Sequence, residues 1–499
     1  MYDSLKKAYR LFDRVLARVL SPRHLHAYHV FALKVGRRLF PGRIAVRNAT
    51  ELDAMSQSQH WSPPTMPAWV YEELLEISEI DPDVHPRGEL VRSAVYGHTQ
   101  WTYDLPGECY FELRSKLPRH LDVILFVPWL KTGGADLGAI HFANALVEHF
   151  GKSVAVIATE DDSSPWSNRL DPRVTFLEAG ASLGLLHEQH KIDVIVRLLL
   201  QVAPEIMHVM NSRPAWEAIK RNGLAIRQQT RLFGSLYCDD VTAAGQRVGY
   251  ARSYLGACYS MLDGVITDNP VSVAQWCEGI GIDPSLFSVV RFPAPTGTVS
   301  PTSGMRAGRR ALWAGRLDRQ KRPDLLAKIA VAMPDWTFDV HGASVLDHSA
   351  AEGLAALPNV VMHGSFESFA AVADGSHDAY LYTSQWDGLP TVLFAAAAAG
   401  MPIVASGVGG ITDFLPAEQL VQPFDDVQGY VKLLERVASD PVLAEQWRKR
   451  QRARIETAHT DQSFREAIEA VPHYLFADGR GDAAPLSGCE STGWVAAVR

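Results

Sequence analysis

The stretch that decides the fold begins Tyr382-Thr383-Ser384-Gln385-Trp386-Asp387-Gly388-Leu389-Pro390, continues through an alanine-rich run, and ends Gly400-Met401-Pro402-Ile403-Val404-Ala405-Ser406-Gly407-Val408-Gly409-Gly410. Its pattern predicts a strand, a loop, a helix, a second strand and a glycine loop, the order in which an open α/β sheet builds a ligand crevice. The Gly-Leu-Pro turn opens the helix, and a helix start stabilises negative oxygens. Asp387 lies at the mouth of the first loop, and the final glycine pair lets a ligand approach bare backbone.

The same alternation of strands and helices extends in both directions from this stretch. Before a Pro/Gly/Ser/Thr-rich link, apolar runs predict strands at residues 123–128, 153–159, 174–177, 205–210 and 265–267, a helix over 135–149, and an ambiguous element over 192–200. After the link, further strands are predicted at 311–314, 336–340, 360–363, 379–383 and 403–405. Such alternation indicates parallel, doubly wound sheets. We therefore predict an α/β protein with two doubly wound domains facing a cleft and an extra N-terminal segment.

Two positions in the opening stretch resemble a signature of the family 4 retaining glycosyltransferases, whose architecture of two Rossmann-like domains is called GT-B. The family's motif has two glutamates eight positions apart, with Gly-x-Pro after the first. Asp387 stands at the first position and keeps the carboxylate, whereas Ala395 stands at the second and keeps none. In the family that second carboxylate holds the ribose of the nucleotide. The resemblance covers roughly residues 120–475.

The resemblance and the composition together predict a domain plan. It consists of a basic amphipathic N-terminal segment (1–47), an irregular extension (48–118), a Rossmann-like acceptor domain (119–295), a linker (296–308), a Rossmann-like donor domain (309–455), a C-terminal helix that crosses back to the first domain (456–475) and a disordered tail (476–499). Within the extension, residues 69–80 are predicted to form a short helix.

A basic pair on the loop after the predicted strand 311–314 matches the family's Arg and Lys. Arg316 and Lys321 are five residues apart and face the same crevice. Departure of a diphosphate without a metal needs cations and helix starts to stabilise the developing charge. Arg can grip two phosphate oxygens, and Lys adds a compact charge. The resemblance implies catalytic roles for both, and for Asp387 as acceptor of hydrogen bonds from hydroxyls of the donor hexose.

The resemblance also implies which residues bind the donor, and it places further candidates on the acceptor side. The donor site is predicted to comprise Gly133, Gly134, Gly388, Leu389, Pro390, Thr391, Gly409, Gly410 and His363. His208 ends a predicted strand at the carboxyl edge, where open sheets bind ligands, and is predicted to be catalytic. Asn211 and the pair Asp239-Asp240 are candidates for the acceptor side. Each of these has the alternative of an ordinary hydrogen-bonded or solvated residue. His341-Gly342-Ala343-Ser344 departs from the family's Gly-x-Gly-Pro, so phosphate or base contacts there are expected to differ.

Charge is unevenly distributed along the 499 residues, whose net charge is -8. Residues 1–47 hold eleven Lys or Arg against two Asp, a local charge of +9. Over residues 1–20 the apolar side chains follow a helical 3–4 spacing with basic residues on the other side. A helix of this kind can lie in an anionic membrane interface. It can equally dock on the protein's own core with a solvated basic face.

Composition limits the compartment and the cofactors. The five cysteines are scattered without metal spacing or a C-x-x-C pair, which fits a reducing cytoplasm. No run of 18 apolar residues and no signal-peptide pattern is present. We expect a cytoplasmic protein, peripheral on the cytoplasmic face of the membrane if residues 1–20 bind lipid, with no metal, no other cofactor and no nucleic-acid partner. Asp81-Pro82-Asp83 has the form of a metal-chelating D-x-D motif, but it follows a predicted helix rather than a strand, which disfavours a metal site.

The expected function follows from the resemblance and the surviving charged residues. It is transfer of a hexose from a nucleotide-sugar to a glycan or lipid-linked glycan with retention, by same-face attack, in surface polysaccharide or lipopolysaccharide assembly. One alternative is a catalytically silent glycosyltransferase-like module that binds glycans or partners, motivated by Ala395 and the altered loop at His341. Another is an epimerase or phosphorylase of the same shape, for which acid–base residues or a cofactor lysine cannot be placed in the sequence.

Overall fold

The computed structural model describes residues 68–80, 85, 105–161, 163–295, 308–343, 349–366 and 368–475. The chain divides into two compact units, Met1–Gly107 and Glu108–Arg499. In the first unit the described part is essentially helix α1 (Ala68–Ile80), one residue longer than predicted. The predicted basic helix over residues 1–20, the Asp81-Pro82-Asp83 motif, most of the linker and the tail lie outside the described residues. Helix α2 (Leu105–Lys116) precedes the first sheet.

The first domain is built on a parallel sheet whose strand order is β3-β2-β1-β4-β5-β8-β9. Its strands are β1 (Val123–Val127), β2 (Val154–Ala158), β3 (Thr175–Glu178), β4 (Ile206–Met210), β5 (Arg231–Ser235), β8 (Gly264–Thr267) and β9 (Phe287–Val289). A short antiparallel hairpin, β6 (Asp240–Val241) and β7 (Arg247–Val248), follows β5. Strands β1, β2 and β4 are buried along their whole length, as strands covered on both faces are. Strands β1 and β2 are continuous apolar runs, whereas β4 contains His208.

Helices connect these strands and cover the sheet. They are α3 (Gly134–Glu148), α4 (Gly180–Leu183), α5 (Glu188–Val202), α6 (Arg213–Ile226), α7 (Gly256–Cys258) and α8 (Pro270–Ile280). The ambiguous run at 192–200 belongs to α5, because its apolar residues fall on one face while Asp193 and Arg197 fall on the other. Strand β5 was not predicted from sequence, since its five residues end in Gly-Ser and offer only a short apolar run.

The second domain repeats the plan, with the strand order β12-β11-β10-β13-β14-β15 and every pair parallel. Its strands are β10 (Arg310–Ala314), β11 (Thr337–His341), β12 (Val360–Gly364), β13 (Ala379–Tyr382), β14 (Ile403–Ser406) and β15 (Leu420–Val421). Its helices are α9 (Pro323–Ala332), α10 (Ser349–Ala355), α11 (Phe369–Val372), α12 (Thr391–Ala398), α13 (Ile411–Phe414), α14 (Val427–Ser439), α15 (Pro441–Ala458) and α16 (Asp461–Glu469). The predicted α/β class with two doubly wound domains is therefore confirmed. The boundary predicted at residue 455 falls inside α15.

One buried apolar cluster runs through both domains. It includes Phe142 of α3 in the first domain and Phe394 of α12 in the second. The chain end after α16 joins the same cluster through Tyr474, whose hydroxyl lies 2.7 Å from Nδ1 of His208 on β4. The C-terminal segment thus packs on the first domain. This shared core holds the carboxyl edges of the two sheets against each other.

Candidate active site

The candidate site lies where the strand order of the second sheet reverses, between β10 and β13. Strands β10 and β13 are neighbours in the sheet, although the chain reaches β13 only after β11 and β12. At such a switch point the loops at the carboxyl ends of the two strands diverge and leave a crevice. The loop after β10 carries Arg316 and Lys321, and the loop after β13 carries Asp387. The structure therefore brings the three predicted catalytic residues of the second domain together.

Asp387 and Lys321 form a nearly buried ion pair. The Lys321 Nζ lies 2.5 Å from Asp387 Oδ2, and the two side chains are 13 % and 14 % exposed. The same oxygen accepts hydrogen bonds from the Tyr382 hydroxyl at 2.6 Å and from Ser384 Oγ at 3.2 Å. Lys321 also donates to the Tyr382 hydroxyl. Burial, with Asp387 beside it, raises the pKa of the Tyr382 phenol well above its usual range, so the phenol remains a donor.

Arg316 is the most accessible cation of the site, with a side chain 56 % exposed. Its guanidinium lies 3.4 Å from Asp318 and donates to Gln320 Oε1 at 3.1 Å. Gln320 in turn bonds the other loop. Its side-chain amide donates to the main-chain carbonyl of Trp386, and its main-chain carbonyl accepts from the main-chain amide of Gln385. The two loops are thus joined by hydrogen bonds, and the Arg316 side chain remains available to a ligand.

Glycines allow the second-domain loops to approach each other. Gly409 has φ +50°, and a Cβ there would come within 1.9 Å of the Asp387 carbonyl oxygen. Gly342 has φ +147°, and its Cβ would meet the Gly315 carbonyl oxygen at 1.8 Å. Only glycine fits such contacts. Gly409, predicted as a donor-binding residue, therefore has at least a structural role in supporting the Asp387 loop.

Two helices begin at the site with no side-chain cap. They are α3, whose N-cap is Gly133, and α12, whose N-cap is Pro390. The Gly134 Cα position faces Thr391, since a Cβ on that glycine would lie 3.8 Å from the Thr391 hydroxyl. Free amides at helix starts stabilise negative oxygens. The Gly133-Gly134 loop and the Gly-Leu-Pro turn therefore form one region suited to bind an anion.

Two first-domain carboxyls at this region were not found from the sequence. Asp136, in the first turn of α3, is 8 % exposed, and burial raises its pKa to about 7 against the opposing effects of Lys131 and Arg316. Asp268, directly after β8, is 4 % exposed and accepts a hydrogen bond from the Leu389 amide at 2.9 Å. The sequence signal for Asp268 was its position at the carboxyl end of a strand, immediately before the Asn-Pro that starts α8.

The structure places His208 in the core rather than at the cleft surface. The ring is fully buried, with Nδ1 at 2.7 Å from the Tyr474 hydroxyl and Nε2 at 2.8 Å from Ser235 Oγ. Burial lowers the pKa of His208 to about 3. Both ring nitrogens thus have protein partners and the imidazole stays neutral, which leaves His208 no free nitrogen for the predicted catalytic role.

The acceptor-side candidates fall into different environments. Asn211 adopts φ +59°, and its carbonyl accepts from the Tyr250 hydroxyl at 2.6 Å. Asp239 is buried and bonded by Arg252 and the Trp276 indole, so it is a structural counter-ion. Asp240 is exposed on the β6–β7 hairpin.

His363 lies at the end of β12 and forms a ring pair with His341. The rings are parallel, with centroids 4.4 Å apart. The His363 Nε2 is 2.8 Å from Asp339, which fixes the ring, and its side chain is 38 % exposed. Burial and the neighbouring His363 lower the pKa of His341. The pair therefore presents a flat aromatic surface at the carboxyl edge of the second sheet.

Ala395 lies on α12 and contacts the apolar core with a half-buried side chain. The chain therefore has no carboxylate at this position, the second of the paired-glutamate motif. Among the described residues, no group of three or more His, Cys, Asp or Glu side chains is placed to hold a metal ion. Within the same residues, no helix is long and apolar enough to cross a membrane.

The second domain matches a known protein family in sequence. Residues 308–440 match the family model described as glycosyl transferases group 1. The O-antigen biosynthesis glycosyltransferase WbnH and the probable O-antigen biosynthesis glycosyltransferase WbiN, both of Escherichia coli, are each 27 % identical over 122 residues. Those residues are 24 % of this chain and 36 % of each relative, so the chain matches about a third of the length of these curated relatives.

Solved structures resemble both domains together. Anabaena Alr3699/HepE, solved in complex with UDP and glucose, aligns with a TM-score of 0.56 at 15 % identity, covering 70 % of this chain and 98 % of that one. The lipopolysaccharide outer core galactosyltransferase WaaB aligns with a TM-score of 0.54 at 16 % identity, again covering 70 % and 98 %. The fold is GT-B. At these identities the likeness concerns the fold, and the second domain alone carries the sequence match to group 1 glycosyl transferases.

Proposed function

We propose that the protein is a retaining glycosyltransferase that moves a hexose from a nucleotide-sugar to a glycan or lipid-linked glycan acceptor. The observation that carries this proposal is the convergence of Arg316, Lys321 and Asp387 at the strand-order reversal of the second sheet, opposite the uncapped start of α3. The match of residues 308–440 to group 1 glycosyl transferases supports it. The names of the O-antigen relatives favour surface polysaccharide assembly as the setting.

We assign each group a part in binding. The guanidinium of Arg316 and the ammonium of Lys321 bind the diphosphate, together with the free amides at the starts of α3 and α12. The Asp387 carboxylate accepts hydrogen bonds from hexose hydroxyls and orients the anomeric carbon. The flat ring pair of His341 and His363 is suited to contact the nucleobase.

The reaction then balances without a protein nucleophile. The acceptor hydroxyl oxygen bonds to the anomeric carbon on the face that the diphosphate leaves. The bond from anomeric carbon to phosphate oxygen breaks, and the nucleoside diphosphate takes the electron pair. The acceptor proton passes to a leaving phosphate oxygen. Arg316 and Lys321 stabilise the negative charge that develops there, which is the step where preorganised cations contribute most.

The membrane part of the proposal depends on the sequence alone. The basic residues of the segment 1–20 would hold the enzyme on an anionic cytoplasmic membrane surface, where a lipid-linked acceptor is found. Removing residues 1–20 should then release the protein from anionic vesicles and spare activity on a soluble acceptor. Unchanged vesicle binding would assign the segment to the protein's own structure.

A matched pair of arginine variants tests the catalytic proposal. A thermal-shift screen of UDP-, GDP-, ADP-, TDP- and CMP-sugars first identifies the donor, with about 2.7 kcal/mol of stabilisation expected at a hundredfold excess over Kd. Arg316→Ala should then lower turnover by roughly a hundredfold or more. Arg309→Ala is the control, because Arg309 is similarly exposed (52 %) but lies at the opposite, amino end of β10. Equal activity of the two variants would refute the mechanism.

The second candidate function is a silent glycan-binding module of the same fold. Ala395 favours it, because the ribose-holding carboxylate is missing. In that case the nucleotide-sugar screen gives no stabilisation with any donor class, while glycan binding persists in Arg316→Ala.

A further inference from the structure

A carboxyl of the first domain contacts the Gly-Leu-Pro turn of the second. Asp268 Oδ2 accepts the Leu389 amide at 2.9 Å, and Oδ1 accepts the Asn269 side-chain amide at 2.6 Å. Both carboxyl oxygens are thus bonded within the protein, and Asp268 is only 4 % exposed. Leu389 is two residues from Asp387, which the proposed function places on the hexose.

Asp268 is held in place by its own domain. The neighbouring Asn269 caps α8 by accepting the Ser272 amide at 2.8 Å, and its side-chain amide also donates to the Tyr237 carbonyl at 3.0 Å. Because that side chain makes three hydrogen bonds, it presents its amide to Asp268 in a defined direction. The first domain thus holds the Asp268 carboxyl through Asn269, separately from the hydrogen bond to Leu389.

The Gly-Leu-Pro turn, in contrast, is confined between the two domains. A Cβ on Gly388 would lie 3.0 Å from both Asp268 Oδ2 and the Tyr237 carbonyl oxygen. A Cβ on Gly410 would lie 2.7 Å from the Asn269 Cβ. First-domain atoms thus lie against both the Gly-Leu-Pro turn and the Gly409-Gly410 loop. A shift of the turn toward the first domain is blocked by sterics, and a shift away breaks the hydrogen bond to Leu389.

We infer that Asp268 is a positioning residue of the transfer reaction, which fixes the turn that carries Asp387 against the first domain. The inference rests on the proposed function, since it needs Asp387 to orient the donor. Burial, with Asp387 nearby, raises the pKa of the Asp268 carboxyl to about 7. Keeping such a group out of water is unfavourable by itself, and the hydrogen bond to Leu389 is the contact that its own domain does not supply.

Hydrogen exchange of the donor-free, full-length protein reads the contact directly. In the segment 388–392, Pro390 has no amide, and no acceptor among the described residues receives the Gly388, Thr391 or Val392 amide. Leu389 is therefore the amide of this segment that Asp268 protects. Asp268→Ala should accelerate exchange at Leu389 at least tenfold. Asp268→Asn keeps an acceptor oxygen for Leu389 but sets its amide against that of Asn269, so its exchange should be intermediate.

A matched control separates positioning from general loss of stability. Asp263 is also a first-domain carboxyl that accepts a backbone amide, that of Leu232 at 2.8 Å, but within its own domain. Asp263→Ala should leave exchange at Leu389 unchanged. With the donor identified by the screen, Asp268→Ala should lower kcat roughly a hundredfold with less than a threefold change in KM for the nucleotide-sugar, since misplacement of about 1 Å has an effect of that order. Asp263→Ala should lower kcat much less.

The outcomes distinguish this inference from the proposed function. If the wild type transfers sugar and Asp268→Ala leaves either Leu389 exchange or kcat unchanged, the inference is wrong and the proposed function stands. If the wild type has no transferase activity, the proposed function fails and the role in transfer fails with it, even where exchange shows that the contact exists. Parallel losses in Asp268→Ala and Asp263→Ala would reduce Asp268 to a stabilising residue.

Discussion

The ion pair between Lys321 and Asp387 predicts an unusual response to Asp387→Asn. In the donor-free protein the Lys321 ammonium is 2.5 Å from Asp387 Oδ2, although the proposed mechanism assigns this cation to the diphosphate. A diphosphate must therefore draw Lys321 away from the carboxylate. Asparagine keeps an acceptor for Tyr382 and Ser384 but removes the charge that competes for Lys321. We expect the variant to bind nucleoside diphosphate more tightly and to transfer sugar more slowly.

The size of both effects follows from burial. Exposed ion pairs contribute about 0–1 kcal/mol, whereas loss of one partner from a buried pair costs about 3–5 kcal/mol. With side chains only 13 % and 14 % exposed, this pair lies nearer the buried limit, so Asp387→Asn should lower the free energy of unfolding by about 3 kcal/mol. A charge-assisted hydrogen bond that no longer has to be broken is worth about 1.5 kcal/mol, which is about tenfold in the Kd for diphosphate.

Calorimetric titration with UDP and urea unfolding measure the two quantities. Lys321→Met and the double variant Lys321→Met/Asp387→Asn complete a cycle, in which the double variant should be more stable than the sum of the single losses predicts. Asp324→Asn is the control, because its bond to Arg322 is at the surface with Asp324 53 % exposed, and the expected cost is below about 1 kcal/mol. Weaker UDP binding by Asp387→Asn, or additive stability losses in the cycle, would refute this reasoning.

Three further predictions concern the loops, the core and the altered motif. Gly409→Ala should lower the melting temperature more than Gly151→Ala, since both glycines have positive φ but only at Gly409 would a Cβ meet backbone, 1.9 Å from the Asp387 carbonyl oxygen; equal shifts would show that backbone strain alone matters. The pKa of His208 is lowered to about 3 in the folded protein, so below about pH 6.5 the unfolded chain binds a proton that the folded protein does not bind. The free energy of unfolding is therefore unaffected by this group above that pH, and it declines by about 1.4 kcal/mol per pH unit as the pH falls from there toward 3. Urea unfolding at pH 7, 6 and 5 should show a shallower decline for His208→Gln than for the wild type, and parallel curves would contradict the assignment. Ala395→Glu should tighten nucleoside diphosphate binding if the ribose position is intact and merely lacks its carboxylate, whereas unchanged affinity in a titration would show that this chain holds the ribose by other groups.

Local sequence was sufficient for the elements that carry the site. Strand β1 is a run of five buried apolar residues, and β10 and β13 each contain a run of four buried apolar or aromatic residues. Their positions could therefore be predicted from these runs alone. The loops after β10 and β13 could be predicted for the same reason, because charged and glycine residues follow immediately on apolar runs. Strand β5 could not, since its apolar run is only Leu232-Phe233, between Arg231 and Gly234-Ser235.

His208 and Asp268 show where local pattern stops being informative. Both are polar residues at or near the end of a first-domain strand, and the sequence favoured His208. In the fold His208 is enclosed by Tyr474, which is 266 residues away in the chain, while Asp268 meets Leu389, 121 residues away. No periodicity within a strand or helix contains information on such partners.

The sequence by itself determined the alternation of strands and helices, the doubly wound sheets, and the placement of Arg316, Lys321 and Asp387 on loops at strand ends. These features arise from neighbours a few residues apart, through the alternation of buried runs with polar turns. Only the tertiary structure decided that Lys321 pairs with Asp387, that His208 is a core residue, and that Asp268 reaches the turn beside the site. Those contacts depend on how two separately folded sheets pack against each other through a shared apolar core, and burial there sets both the hydrogen-bond partners and the pKa values.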